Sequence, residues 1–473
     1  MANFIDTIYH IIKTVNGFIY FPVLIILLLG VGIYFTFRTG LIQLKLFQTF
    51  KVLSEAPSSK GGVSSFQALM VSTASRVGTG NIVGVSAALC LGGPGALFWM
   101  WIVAIIGGAS AFIESTLAQI YKHKDENGDS YGGPAYYIQA GLKSKFLASA
   151  FALSLIACYA VGFNMLASYN IQSSFSSYSF YNPQTTPMII GGILALLTAF
   201  VILGGGKSII HVTEKLVPLM GILYVLVSLL MIVMNIKQLP EIFSNIFQNA
   251  LDFKAIFGGL AGSSLIHGIK RGLYSNEAGM GSAPNAAAAA DVSHPVKQGL
   301  VQMLSVFLDT LVICSATAFM GLSSGVVPTE TMAGAPYIQE ALSTVFGQWG
   351  YYFISLSLIL FGFTTLIGNL YYVESNIIYL VGKVPNIVFQ WFYRIIFVIL
   401  IYLGAVQKQA FVWDMADLFM GIMALINLPV IIILGNQAIK ALKDYNQQDK
   451  AGQNPVFKSE KIGLNPAQFD FWK

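Results

Sequence analysis

The stretch "STASRVGTGNIVG", residues 72–84, places three glycines, an arginine and an asparagine inside a long apolar segment. In a lipid bilayer, a backbone N–H or C=O group without a partner costs several kcal/mol unless it lines a cavity. Each glycine inside a helix adds a cost of about 1 kcal/mol. Two interpretations follow: either the glycines let neighbouring helices approach closely, or the helix is unwound here and its freed groups bind a ligand.

The composition of the chain is that of a membrane protein. Of its 473 residues, 55% are hydrophobic and 10% are charged, with a mean hydropathy of +0.69, whereas soluble domains carry about 25% charged residues. Crossing a bilayer takes about 20 apolar residues, and several uncharged runs are this long. We therefore predict an all-α polytopic membrane protein with about eleven transmembrane helices. The predicted spans lie near residues 17–37, 63–92, 95–120, 146–170, 187–204, 214–235, 254–290, 298–323, 349–379, 387–405 and 411–436.

Other classes of protein lack support in the sequence. There is no HExxH motif and no recognisable pair of catalytic carboxylates, so the chain is not predicted to be an enzyme. The three cysteines form no CxxC pair and the five histidines form no ligand motif, so no cofactor or structural metal is expected. No basic cluster with interleaved aromatic residues points to a nucleic acid.

The positive charges predict the orientation in the membrane. Of the 26 lysines and arginines, eighteen fall on one set of alternating loops and the C-terminal tail, four fall on the opposite side and four lie within spans. Because cytoplasmic loops are enriched in Lys and Arg, we expect a multi-pass protein of the plasma (inner) membrane with its N-terminus outside and its C-terminus in the cytoplasm. The polar residues 441–473 predict a short amphipathic or disordered cytoplasmic tail.

A second glycine-rich stretch decides between the two interpretations of the first. The sequence "GIKRGLYSNEAGMGSAPN", residues 268–285, lies five predicted spans after the first stretch and resembles it in composition. Two broken helices at matching positions of two five-span halves indicate an inverted-repeat secondary transporter that binds its substrate between the breaks. We predict one transporter domain over 1–440, with repeat one near 62–236, repeat two near 253–436 and the first span as an extra N-terminal helix.

Several segments resemble one transporter family. "GTGNIVGVSAALCLGGPGALFWMW" (78–101), "SNEAGMGSAPNAAAAA" (275–290), "YGGPAYYI" (131–138) and "FTTLIG" (363–368) are similar to signature segments of the alanine or glycine:cation symporters. The likeness covers roughly residues 60–430. It implies sodium-coupled import of a small neutral amino acid by a five-plus-five broken-helix fold, with sodium as the coupling ion and no other cofactor.

The resemblance also implies a substrate site. A substrate carboxylate suits backbone N–H groups that glycines leave accessible, and its ammonium suits freed carbonyls and an amide oxygen. The family's pattern places the substrate at Gly78, Thr79, Gly80 and Asn81, with Asn276 and Gly279 opposite.

The wider fold implies a sodium site between the first broken helix and the third helix of the second half. In this chain that site would use the carbonyls of Ala74 and Val77 and the hydroxyls of Thr364 and Thr365. Without the family, paired threonines in a span are more commonly bonded to the preceding turn of their own helix.

The chain departs from the family at two positions near the substrate. Asn369 stands where members usually carry tryptophan, and "FNMLASYN" replaces the usual "GNMVQAN", so that Ala167 stands where a glutamine would be. Both changes free space, and the Asn369 amide offers hydrogen-bond donors and an acceptor. We expect glutamine or asparagine to compete at least as well as alanine and glycine.

Charged residues inside the predicted spans are functional candidates by default. Arg76 and Glu277 adjoin the breaks and could form gate pairs, while Glu114 and Asp309 could be no more than helix–helix anchors. No side chain stands out as a sole proton carrier, which favours sodium. A proton-coupled permease of the same architecture and a non-transporting amino-acid sensor stay open as alternatives, as do the preferred amino acid, the ion stoichiometry and the oligomeric state.

Overall fold

The computed structural model of the protein describes residues 2–57, 62–124, 128, 130–202, 205–252 and 264–472. The predicted start of repeat two at 253 and of the seventh span at 254 lies outside the described residues. The regular secondary structure of the described chain is helical apart from an isolated bridge between Val63 and Ala290 and two short antiparallel strands, β1 (His123–Lys124) and β2 (Ser130–Tyr131). The α-helices are α1 (Ala2–Phe18), α2 (Ile25–Arg38), α3 (Leu46–Leu53), α4 (Ser65–Arg76), α5 (Val85–Gly92), α6 (Gly95–Ile120), α7 (Pro134–Leu142), α8 (Lys145–Ile156), α9 (Asn164–Ser173), α10 (Thr186–Ile202), α11 (Gly205–Met234), α12 (Leu239–Ala250), α13 (Ser264–Asn276), α14 (Pro284–Ala289), α15 (Pro295–Phe307), α16 (Ser315–Leu322), α17 (Ala335–Phe346), α18 (Gln348–Val381), α19 (Ile387–Ala405) and α20 (Gln409–Lys450).

Short π-helical and 3-10 segments join or follow these helices. The π-helical segments are Ile19–Leu24, Gly80–Gly84, Ala157–Phe163 and Leu308–Cys314, and the 3-10 segments are Ile42–Lys45, Ile236–Gln238, Glu330–Met332, Ser459–Ile462 and Pro466–Gln468. Three of these π-helical segments join two α-helical stretches of one span, and the fourth, Gly80–Gly84, leads from the first break into α5.

The predicted number of spans is confirmed. Eight helices of the described chain are long and apolar enough to cross a membrane, namely Tyr9–Arg38, Gly95–Ile120, Lys145–Ser173, Ser208–Met234, Pro295–Leu322, Gln348–Val381, Ile387–Ala405 and Gln409–Lys450. The shorter apolar helix Thr186–Ile202 and the two broken helices bring the total to eleven.

Both predicted breaks are present. The first helix leaves α-helical geometry at Val77, where ψ is 83°, and resumes at Gly80. The second stops at Asn276 and resumes at Pro284, which is suited to a helix start because it needs no N–H partner. Between them, Gly279 and Gly281 adopt positive φ angles of 84° and 85°, a conformation in which a side chain would be strained.

The two broken helices run antiparallel to each other. At one end, the N–H of Asp291, just after α14, donates to the carbonyl of Val63, just before α4, at 2.9 Å. At the other end, Gly92 at the close of α5 packs against His267 in α13, so closely that a Cβ on the glycine would lie 2.8 Å from the His267 Cβ. This arrangement brings the two breaks to the same level, as the inverted repeat requires.

The first span lies outside the two repeats and packs against the last one. Tyr20 donates its hydroxyl proton to the carbonyl of Asp417 at 2.9 Å, and Asn16 Nδ2 donates to the carbonyl of Asp414 at 2.9 Å. The extra N-terminal helix is therefore attached to α20.

The C-terminal tail is more ordered than its polar composition predicts. Helix α20 continues to Lys450, past the predicted boundary at 440, and the following segment buries the side chains of Phe457, Ile462, Phe469 and Trp472. Trp472 Nε1 donates to the carbonyl of Gln119 at 2.6 Å. Because these four side chains are apolar, the tail packs against the rest of the protein. It covers the end of the molecule where Val63 and Ala290 form a β-bridge.

Candidate functional site

A buried glutamate joins the two breaks. The Ser75 hydroxyl lies 2.9 Å from Glu277 Oε1 and 3.0 Å from Asn369 Oδ1, and Ser282 donates to Glu277 Oε2 at 2.7 Å. All four side chains are buried. The last turn of α4, the second break and α18 therefore meet at one point in the middle of the molecule.

The residues of the first break lie around this point. The Gly78 N–H donates to Asn81 Oδ1 at 2.9 Å. Thr79 Oγ1 lies 3.1 Å from the Tyr274 hydroxyl and accepts a hydrogen bond from Asn170 Nδ2 at 3.0 Å. Gly80 lies under the ring of Tyr274, and a Cβ at Gly80 would be 3.0 Å from the Tyr274 Cε1 atom.

Asn81 is held by a buried carboxylate. Asn81 Nδ2 donates to Asp309 Oδ1 at 2.7 Å, while Ser275 and Thr310 donate to Asp309 Oδ2 at 2.8 and 2.9 Å. Asn276 belongs to the same network, because its Nδ2 donates to Thr310 Oγ1 at 3.2 Å. The structure thus brings Asn81 and Asn276 together in the wall of the site, where Asp309 links the first broken helix to the second.

The backbone of Gly279 is hydrogen-bonded to side chains of α6 and α20. Its N–H donates to Glu114 Oε1 at 3.3 Å, and its carbonyl accepts from Asn427 Nδ2 at 3.0 Å. Asn427 Nδ2 also donates to Glu114 Oε2 at 2.8 Å. Glu114 therefore replaces a helical hydrogen-bond partner that the unwound chain has lost.

Of the four residues predicted for sodium, the structure brings two into contact. Thr365 Oγ1 lies 3.3 Å from the Ala74 carbonyl oxygen, and Gly78 packs directly against the same hydroxyl. Val77, at the end of α4, is buried and non-helical. The Thr364 hydroxyl lies instead 3.6 Å from Met220 Sδ and bonds to carbonyls of its own helix, so its predicted role as a ligand stays a prediction.

Asn369 and Ala167 lie where α18 faces α9. Asn369 Nδ2 donates to Asn164 Oδ1 at 2.8 Å. Ala167 is buried one turn further along α9, between Asn164 and Asn170. Two of the three α9 residues thus bond to residues of the predicted site, and the third is the alanine that replaces the family's glutamine.

An aromatic cluster and an ion pair close one end of the site. The ring of Tyr274 packs edge-on against Phe163 and Trp413, with centroid distances of 5.0 and 5.2 Å. Beyond it, Arg271 Nη2 lies 2.8 Å from Asp417 Oδ2, and the Arg271 guanidinium stacks 4.0 Å from the Trp413 ring. Arg271 and its neighbour Lys270 both lie on helix α13.

The predicted gate pair between Arg76 and Glu277 is not formed in this structure. Arg76 is buried, its Nη1 donates to the carbonyl and the side chain of Gln302 at 3.2 and 3.3 Å, and its Nε and Nη2 atoms have no hydrogen-bond partner within the described chain. Glu277 is instead held by the hydroxyls of Ser75 and Ser282.

Sequence reasoning missed the polar partners on α9 and α13. Asn164, Asn170, Tyr274 and Ser275 all contact predicted site residues, yet none was singled out. The available signal was the pair of asparagines, Asn164 and Asn170, in the predicted span 146–170, since amides at membrane depth need partners.

This architecture is a five-plus-five broken-helix fold. It superposes on the crystal structure of MhsT in complex with L-phenylalanine with a TM-score of 0.50, at 15% sequence identity, over 88% of this chain and 97% of that one.

The chain belongs to the sodium:alanine symporter family, whose model matches residues 5–459. It is 46% identical over 452 residues to the probable sodium/glutamine symporter GlnT of Bacillus subtilis, covering 95% of this chain and 93% of that protein. It is 45% identical to the amino-acid carrier protein AlsT of the same organism, covering 93% of each chain. The protein is therefore a multi-pass sodium-coupled amino-acid symporter and not an enzyme.

Proposed function

We propose that the protein imports a small neutral amino acid, of the alanine and glycine class and including glutamine, together with sodium by alternating access. The observation that carries this proposal is the hydrogen bond between Ser75, in the last helical turn before the first break, and Glu277 in the second break. A single transporter domain over 1–440, with repeats near 62–236 and 253–436, would move around this point. The N-terminus lies outside and the tail in the cytoplasm of the plasma membrane.

The substrate binds between the breaks in this proposal. Thr79 and Gly80 present backbone to its charged groups, and Gly78, whose N–H is held by Asn81 Oδ1, lets the substrate come close because it has no side chain. Asn81 and Gly279 shape the site from behind, held by Asp309 and Glu114. Asn276, Ala167 and Asn369 complete the lining. The bonds that the structure gives to Asn81, Asn276 and Gly279 support a fixed, preorganised wall rather than three free ligand groups.

Sodium binds next to Gly78 in this proposal. The Ala74 carbonyl and the Thr365 hydroxyl are already 3.3 Å apart, and a cation between the carbonyl and hydroxyl oxygens would draw on groups freed by the break. Val77 supplies the second carbonyl and Thr364 the second hydroxyl. Because this ion lies beside the first break, ion binding and substrate binding both depend on the backbone conformation of the break.

The buried ion pair at one end acts as a gate in this proposal. We expect Asp417→Asn to lower uptake about a hundredfold, because a buried Arg271 without its carboxylate destabilises the closed state by about 3 kcal/mol or more. Counterflow and equilibrium binding of labelled amino acid measure the two effects separately, and binding should fall less than transport. Asp414→Asn, which removes a nearby charge on the same helix, is the control and should transport like the wild type. Equal transport by the two variants would contradict the gate.

One experiment tests the proposed function against its alternatives. Purified protein in proteoliposomes is assayed for counterflow with labelled alanine, glycine and glutamine, with and without a sodium gradient. Sodium-dependent counterflow is the expected result. Uptake driven by a pH gradient in the absence of sodium would indicate a proton-coupled permease, and binding without counterflow would indicate a sensor.

Asn369→Trp tests the substrate range. A tryptophan at this position would fill space that Asn369 shares with Asn164 and remove the 2.8 Å hydrogen bond between them. We expect glutamine to compete about tenfold less well in this variant relative to alanine, since a polar group deprived of its partner costs about 1–3 kcal/mol. Competition against labelled alanine measures the change. A wild type that takes up alanine but ignores glutamine would refute the glutamine assignment.

A further inference from the structure

Two buried amides on α9 each have one polar atom without a partner in the described chain. Asn164 Oδ1 accepts from Asn369, but Asn164 Nδ2 bonds to nothing. Asn170 Nδ2 donates to Thr79, but Asn170 Oδ1 bonds to nothing. Both side chains are fully buried. Since buried polar groups are nearly always hydrogen-bonded, these two atoms mark places where a bound molecule completes the bonding.

The two amides lie at two levels of the proposed substrate site. Asn170 bonds to Thr79 inside the first break. Asn164 bonds to Asn369, whose Oδ1 lies 3.0 Å from the hydroxyl of Ser75, the residue four positions before Thr79. Helix α9 thus runs beside the first broken helix with one unsatisfied amide at each level.

The chemistry of the two free atoms differs. An amide Oδ1 can only accept a hydrogen bond, and an amide Nδ2 can only donate one. The free atom of Asn170 therefore suits an ammonium group, and the free atom of Asn164 suits a carbonyl oxygen. A substrate that satisfies both has a positive donor at one end and an oxygen acceptor at the other.

The spacing of the amides sets the length of that substrate. Six residues separate Asn164 from Asn170, which corresponds to about 9 Å along a helix axis. In extended glutamine the ammonium nitrogen and the side-chain amide oxygen are about 6 Å apart by standard bond lengths. With a hydrogen bond of about 2.9 Å at each end, glutamine reaches up to about 12 Å, which covers this rise when the hydrogen bonds are inclined to the helix axis. Asparagine is one methylene shorter, and alanine has no group that reaches Asn164.

We propose that Asn164 and Asn170 together select glutamine, with Asn170 Oδ1 accepting from its ammonium and Asn164 Nδ2 donating to its side-chain amide oxygen. This inference rests on the proposed substrate site between the breaks. It assigns recognition of the side chain to Asn164 rather than to Asn369, because both the oxygen and the nitrogen of the Asn369 amide are already engaged by Ser75 and Asn164. Asn369 orients Asn164.

Paired substitutions test the assignment. Asn164→Leu keeps the approximate size of the side chain but removes its donor, and should lower the ratio of glutamine to alanine affinity about tenfold or more. Asn170→Leu removes an acceptor used by every amino acid, and should weaken alanine and glutamine by the same factor. Affinities are measured as competition against labelled substrate in sodium-loaded proteoliposomes, after size-exclusion chromatography has shown a single folded species.

The wild type provides a second test that does not depend on a variant folding. Glutamine should compete better than asparagine, and both should compete better than norvaline, which has a similar chain but no amide. The inference is overturned if norvaline competes as well as glutamine, or if Asn164→Leu shifts alanine and glutamine equally. Absence of any sodium-dependent counterflow in the wild type would instead overturn the proposed function itself.

Discussion

Replacing Gly80 by leucine is expected to abolish amino-acid uptake while the protein still inserts into the membrane. A Cβ at this position would lie 3.0 and 3.1 Å from two ring atoms of Tyr274 and 3.4 Å from the Ser275 Cα. The rest of a leucine side chain would enter the space between the breaks, where we place the substrate. Overpacking of this kind costs about 1–3 kcal/mol in ordinary cores, and here it also excludes the ligand. Uptake of labelled alanine and glutamine, normalised to the amount of inserted protein, should fall to background.

A glycine elsewhere in the membrane region gives the matched control. Gly192 in α10 has no atom within 4 Å of the position that a Cβ would occupy, so Gly192→Leu should transport like the wild type. Normal uptake by Gly80→Leu would show that residues 78–81 are a packing motif and not a binding site.

Thr365→Ala is expected to raise the sodium concentration for half-maximal uptake by about tenfold or more. Its hydroxyl lies 3.3 Å from the Ala74 carbonyl, and loss of a hydrogen-bonding or coordinating oxygen in a buried site costs about 1–3 kcal/mol. Alanine leaves only a small cavity, so the amount of protein should change much less than the sodium dependence. An unchanged sodium dependence would remove Thr365 from the ion site.

Thr364, the neighbouring residue, provides a matched comparison for Thr365→Ala. Thr364 bonds to the carbonyls of Leu360 and Phe361 and faces Met220. If the contacts of the structure persist when sodium is bound, Thr364→Ala should leave the sodium dependence closer to the wild-type value than Thr365→Ala does. Equal effects would assign both hydroxyls to the ion, as the sequence predicted.

The positions of both breaks could be predicted from the sequence, because the cost of glycine at membrane depth is a local property. Gly78 and Gly80 indicate the first break without knowledge of any neighbour, and Gly279 and Gly281 indicate the second. The number of spans could also be predicted, because the hydropathy of a span depends only on its own residues. The exact ends of the spans differ from the prediction. The last helix, for example, continues to Lys450.

The partners of polar residues could not be predicted, because they are distant in sequence. From the sequence alone, the Asn81 amide could bind the substrate directly. The structure shows that it donates instead to Asp309, which lies 228 residues later in the chain. From the sequence alone, Arg271 could face water, whereas in the structure it forms an ion pair with Asp417. Thr364 and Thr365 differ only by a rotation of about 100° on one helix, and only the packing of α18 against α4 shows which hydroxyl approaches Ala74.

The docked tail has a practical consequence for handling the protein. The main-chain N–H of Phe457 donates to the carbonyl of Ser293 at 2.9 Å, and Trp472 is anchored to Gln119. A fluorescent or affinity tag fused shortly after Trp472 would therefore begin beside the ends of α6 and α14 rather than in open solvent. Assay proteins should carry such a tag behind a long linker or have it cleaved, and kinetic constants from short-linker fusions describe the fusion as much as the transporter.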